Sequence, residues 1–178
     1  MPSDSRDALT SLPDSSIDEF VATAAEYCSL IEGHQQYSPR DFLAKVRELL
    51  PVLYYRALRL PEVESSHDMN HRDITTEQWG QMFVQLQEFL GPQDQYWEIF
   101  DPIKKAVDDP NLCSLSDDLA DIWRDLKNGL MHWDGVSGSS DIVWEWHFSF
   151  HGHWSDHAVD ALRTINWLTE YYDVGETD

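Results

Sequence analysis

The chain has 178 residues, 42% hydrophobic and 12% aromatic, enough to bury a substantial core in one domain and too apolar for disorder throughout. Twelve Lys and Arg stand against 33 Asp and Glu, a formal net charge of -21 that repels phosphate backbones and anionic membranes. Direct nucleic-acid binding is therefore not expected, whereas basic protein surfaces and divalent cations are attracted.

Residues 1–15 are polar, lack a basic region followed by an apolar run, and are expected to be disordered. Ser16 with Glu19 suits a capping box, and Phe20, Ala24, Tyr27, Cys28 and Ile31 then form an apolar helical face that stops near Gly33. A second helix opens at Ser38-Pro39 and carries Phe42, Leu43, Val46, Leu49, Leu50, Leu53, Tyr54, Ala57 and Leu58 on one side. Pro51 is expected to kink or split it, and Pro61 to end it. Residues 61–74 read as a flexible polar loop. Thr75 with Gln78 opens a third helix, with Trp79, Met82, Phe83, Leu86 and Phe89 inward, which stops at Gly91-Pro92.

A short helical turn is expected through Tyr96, Trp97 and Phe100. From Ser116, the stripe Leu119, Ile122, Trp123, Leu126, Leu130 and Trp133 keeps to one side of a helix, and the glycines and serines of 134–140 form a hinge. Residues 142–150 alternate with the period of a strand. A lone strand leaves its backbone groups unpaired, and no second alternating segment offers itself, so helix is the reading, with a bend at Gly152. A final helix carries Trp154, His157, Ala158, Ala161, Leu162, Ile165 and Leu168, and residues 173–178 form an acidic tail. The result is an all-α single domain over 16–172, an irregular bundle of about five to seven helices. No stretch reaches the roughly 18 apolar residues of a membrane helix. With Cys28 and Cys113 outside any ligand or redox spacing, both are expected as buried free thiols in a soluble cytoplasmic protein.

Three groups of residues could carry chemistry. Asp118, Asp121 and Asp125 fall at i, i+3 and i+7 on one side of the Ser116 helix, where like charges repel unless a cation or basic residue neutralises them. Glu98 and Asp101, with Asp118 and Asp121, would supply four carboxylates on two adjacent segments, an oxygen-rich setting suited to Mg²⁺. His153 and His157, at i and i+4, have the spacing for two imidazoles on one Zn²⁺, with a third ligand from elsewhere, for hydrogen bonds in the core, or for a pH-sensitive contact to Asp118 or Asp121. Trp144, Trp146 and Trp154 either build the core or, if exposed, anchor an interface or stack on a ligand.

The blocks AEYCSLIE (25–32), LYYRALRLP (53–61), YWEIFDP (96–102), SLSDDLADIWRDLKNGL (114–130) and VWEWHFSFHGHWSDHAVDALR (143–163) resemble the bacterial domain-of-unknown-function 5063 family over roughly Phe20 to Leu168. That resemblance implies a shared fold and no catalytic residues. The pairs Glu98-x-x-Asp101 and Asp118-x-x-Asp121 also resemble the paired acidic motifs with which all-α nucleoside-triphosphate pyrophosphohydrolases of the MazG type hold Mg²⁺. The leading functional expectation is a non-enzymatic interaction or regulatory protein with a basic or partly apolar protein partner. The alternative is a divalent-metal-dependent hydrolase of nucleotides or other phosphorylated small molecules, using Glu98, Asp101, Asp118 and Asp121.

Overall fold

A computed structural model describes residues 14–65, 73–99, 103, 109–133 and 139–171. The expected disordered segment 1–15 lies outside them up to residue 13, as do the acidic tail, positions 66–72 of the polar loop, positions 134–138 of the hinge, Phe100 and Asp101. Six α-helices form the bundle: α1 (Asp14–Glu32), α2 (Pro39–Ala57), α3 (Thr76–Leu90), α4 (Leu115–His132), α5 (Ser139–Ser149) and α6 (Ser155–Tyr171). The all-α class is therefore correct, and 142–150 is helical. Among the described residues the one β element is a hairpin of β1 (Gln95–Glu98) and β2 (Asn111–Ser114).

Helix α4 is central, packing against α1, α3, α5 and α6, while α2 bridges α1 and α6. Its apolar stripe explains this position, since Leu115, Leu119, Ala120, Ile122 and Leu126 are fully buried. Tyr27 of α1 donates its hydroxyl hydrogen to the Leu119 carbonyl at 3.2 Å, giving the buried phenol a partner inside that contact. The caps read from sequence are present on α2 and α3. Ser38 accepts from the Asp41 amide, and Thr75 with Gln78 makes a full capping box. Gly91, with φ of +56°, ends α3 in the left-handed region where a side chain would be strained.

Several boundaries differ from the sequence reading. Ser16 lies inside α1, which starts at Asp14, so it is no cap. Helix α2 continues through Pro51, because the proline sits on its exposed face, where water can serve the carbonyl that loses its amide partner. Tyr96 and Trp97 are extended rather than helical. The segment 111–114, too short to stand out as a strand, supplies the ladder partner in the register Tyr96↔Cys113 and Trp97↔Leu112. This pairing leaves Cys113 only partly buried, against expectation, while Cys28 is buried.

The hairpin is fastened to the start of α4 by Asp94, which is 1% exposed. Its carbonyl accepts from the Leu115 amide and its carboxylate from the Ser116 amide, each at 2.8 Å, while Ser114 accepts from Asp117 as the N-cap. These bonds satisfy amides that a helix start leaves without partners and place an anion at the positive end of the dipole. Asp94→Ala is expected to lower stability by about 1–2 kcal/mol in a urea melt, because it strands the buried Ser116 amide.

At Gly152 the chain does not bend out of the helix. Residues Phe150–Trp154 form a π-turn, closed by the Ser155 amide on the Phe150 carbonyl, and α5 passes through it into α6. The sequence requires the wider turn. Trp146, Phe150, Trp154 and Ala158 are all buried at a spacing of four, and a regular α-helix drifts about 40° per such step. One π-turn absorbs most of that drift and keeps all four residues on the core.

Candidate functional site

The π-turn and the first turn of α6 lie antiparallel to α4, and this brings the two separate clusters of the sequence reading together. Asp118, Asp121 and Asp125 of α4 meet His157 and His153 as the rungs of a ladder. His157 Nδ1 lies 2.8 Å from Asp118 Oδ1, and His153 Nδ1 lies 2.8 Å from Asp125 Oδ2. A carboxylate only accepts, so each Nδ1 carries a proton, and in the neutral ring each Nε2 presents a lone pair. Both Nε2 atoms face one atom, Asp121 Oδ2, at 3.4 Å from His157 and 3.6 Å from His153. The other oxygen of Asp121 is held by the Arg124 guanidinium at 2.8 Å. Arg124 also reaches Asp125 at 3.6 Å and lies over the Trp79 ring, so it neutralises the aspartate row from the α3 side.

Asp118, His153 and His157 of this ladder edge a cleft of about 660 Å³ between the hairpin, α4 and the π-turn. Its walls include Tyr96, Glu98, Cys113, Asp117, Asp118, His153, Asp156, His157 and Asp160, and no Lys or Arg is among its described lining residues. Tyr96 donates its hydroxyl hydrogen to Asp118 Oδ2 at 2.8 Å, so both oxygens of Asp118 are engaged. Burial pushes the Asp118 carboxyl up to about 6, against the hydrogen bonds from His157 and Tyr96 that pull it down. Burial alone would lower His157, but the hydrogen bond to Asp118 and the charges of Asp118 and Asp121 outweigh it and raise it. Asp160 is pushed up to about 7 by burial and by its hydrogen bond to Glu98. Cys113, 3.8 Å from Glu98, is pushed up to about 11 by burial and that carboxylate, so it stays a thiol.

The expected site residues are thus redistributed. Asp118, Asp121, His153 and His157 converge. Glu98 lines the same cleft, but its partners are Asp160 and Cys113 rather than the carboxylates of α4, and Asp101 lies outside the described residues. Asp125 reaches His153 and Arg124, not Arg163 or Lys127, and Lys127 pairs instead with Glu32 at 2.6 Å. Trp146 and Trp154 are wholly buried, which removes them as interface or ligand-stacking residues. Trp144 is partly exposed, its ring stacked on Phe148 at 4.9 Å. The role of Tyr96 had no signal in the sequence, because it depends on the strand pairing. The ladder did have one: aspartates at i, i+3, i+7 match two histidines at i, i+4 on an antiparallel neighbour.

No helix among the described residues is long and apolar enough to cross a membrane. No curated protein matches the chain. In fold it is similar to the crystal structure of protein BF1032 from Bacteroides fragilis, with a TM-score of 0.76 at 24% identity, covering 91% of this chain and 96% of that one. The model of the domain of unknown function DUF5063 matches residues 11–170, nearly the whole length, in agreement with the sequence blocks quoted above, and the chain belongs to that family.

Proposed function

We propose that the protein is an acidic binding module whose cleft captures the ammonium group of a lysine presented by a protein partner. The observation that carries this reading is the composition of the cleft wall, five carboxylates (Glu98, Asp117, Asp118, Asp156 and Asp160) with no Lys or Arg among the described lining residues. Burial raises Asp117, Asp118 and Asp160, so a cation entering the cleft relieves repulsion already present in the free protein. The outer face of the hairpin supports a protein as the carrier, since Trp97 and Leu112 form an exposed cross-strand pair at 64% and 54% beside the cleft. The same wall speaks against nucleotides and other phosphorylated substrates, whose charge meets carboxylates with no basic residue to offset them.

The test is calorimetric titration of the full chain with a lysine-rich peptide, a glutamate-rich peptide and ADP. Saturable, salt-sensitive binding of the first alone is expected, weakened about tenfold by Glu98→Gln through loss of one charge-assisted contact. Binding of ADP, or peptide binding indifferent to Glu98→Gln, is the result that sinks the reading.

A further inference from the structure

The atoms at the centre of the ladder are too far apart to be explained by hydrogen bonding. At 3.4 and 3.6 Å, the approaches of His157 Nε2 and His153 Nε2 to Asp121 Oδ2 are long for a hydrogen bond, and in the neutral ring with Nδ1 protonated each Nε2 presents a lone pair. In that neutral form three lone-pair atoms face one another, partly buried. Ligands about 2.1 Å from a tetrahedral ion stand about 3.4 Å apart, close to the spacing of each Nε2 from Asp121 Oδ2. The ligand atoms of Asp121, His153 and His157 all lie within 4.8 Å of one another.

We infer that Asp121, His153 and His157 bind one transition-metal dication of the Zn²⁺ class, with Asp118 and Asp125 orienting the two imidazoles from behind. This inference shares Asp118 with the lysine-capture reading only as a group orienting His157, and uses none of Glu98, Asp117, Asp156 or Asp160. Its strongest support is the outer arrangement. A metal-bound histidine ordinarily gives its other ring hydrogen to a carboxylate, which fixes the tautomer and the ring plane, and here both histidines do so at 2.8 Å. Arg124 occupies Asp121 Oδ1 and leaves Oδ2 for the ion. The nitrogen donors select a borderline-soft ion over Mg²⁺, which prefers an all-oxygen shell. A second grouping, Asp117, Asp118 and His157, also falls within reach of one ion. It is the poorer site, because Asp118 already serves Tyr96 and His157 with its two oxygens. Three protein ligands leave a coordination position for water or a ligand, and His153 and His157 both line the cleft.

Metal-free full-length protein is titrated with Zn²⁺, with Co²⁺ as the absorbing probe and Mg²⁺ as the control. The expected result is one equivalent of Zn²⁺ or Co²⁺ and no saturable Mg²⁺ binding. His153→Ala and His157→Ala should each weaken Zn²⁺ by at least about 100-fold, and Asp125→Asn by about 10-fold or more through its histidine. Asp117→Asn and Glu98→Gln should change it less than about twofold, Glu98→Gln being the variant that weakens lysine capture. As a readout that needs no variant, the ¹⁵N resonances of the Nε2 atoms of His153 and His157 should shift on adding Zn²⁺ while their Nδ1 atoms stay protonated. Absence of stoichiometric Zn²⁺ binding, an unmoved Nε2 pair, or a larger loss from Asp117→Asn than from Asp125→Asn overturns the assignment.

Discussion

Gly129→Ala is expected to destabilise the protein by about 3 kcal/mol, although alanine is the better helix former by about 1 kcal/mol. Gly129 is in α4, and a Cβ there would fall 2.2 Å from Nε1 and 2.3 Å from Cε2 of Trp146. The indole cannot step aside. It is fully buried, meets Phe20 edge-on at 5.2 Å and Trp133 at 5.5 Å, and its N–H donates to the Leu126 carbonyl at 3.3 Å. The added methyl must therefore push α4 and α5 apart, opening voids along a contact that also positions the ladder. Gly80 of α3 is the internal control, because a Cβ there meets nothing within 4 Å. Gly80→Ala should stabilise by about 0.5–1 kcal/mol, and urea midpoints of the two variants should shift in opposite directions. Combining Gly129→Ala with Trp146→Leu should give less than the sum of the single losses, since the smaller side chain makes room for the methyl. Additive losses would place the strain elsewhere than in the indole contact.

Much of this architecture was legible in the sequence because local chemistry and burial agree. Ser38-Pro39 and Thr75 with Gln78 open their helices as written, and the α4 stripe of Leu119, Ile122, Trp123 and Leu126 is buried as its spacing demands. What could not be read depends on partners distant in sequence. Tyr96 and Trp97 favour a strand or a turn equally until Leu112 and Cys113 are brought alongside. The aromatic run of α5 alternates like a strand, yet its buried members are Ile142, Val143, Trp146 and Phe150. That helical set is continued at a spacing of four only because a π-turn follows. The site was legible in halves. The aspartate row and the histidine pair stood out as rival metal sites, with a histidine contact to Asp118 or Asp121 as a third reading, and the antiparallel packing of α4 against α6 brings the two groups together. Glu98, assigned to the carboxylate half, is separated from it by facing Asp160 and Cys113 across the cleft wall.

Metal-free protein should be more stable in mild acid than in mild base, with a Tm about 5 °C higher at pH 5.5 than at pH 8. Two carboxyls outside the ladder drive this. Glu145 of α5 is pushed up to about 7 by burial, with the charges of Asp73 and Asp125 adding to it, and its Oε2 is buried without a hydrogen-bond partner. Asp160 is pushed up to about 7 by burial and by Glu98, with Arg163 opposing. Each binds its proton more tightly folded than unfolded, so its contribution is fully present below the ordinary carboxyl value near 4 and is lost as pH rises through about 7. His147, lowered by burial and by His151, works in the other direction below its ordinary value of 6.5, but it is one partly exposed imidazole against two carboxyls. The overall charge of -21 adds to the trend, since protonation relieves self-repulsion of the compact state. Glu145→Gln isolates one contributor by fixing the side chain in its neutral form. Full burial would make its shift worth roughly 3 kcal/mol, and solvent at the other oxygen reduces this to about 1 kcal/mol at pH 8. The variant should therefore melt about 3 °C higher than the parent at pH 8 and no higher at pH 4. Equal gains at both pH values would mean that the amide stabilises by packing or hydrogen bonding, and that the Glu145 carboxyl is not the group that titrates.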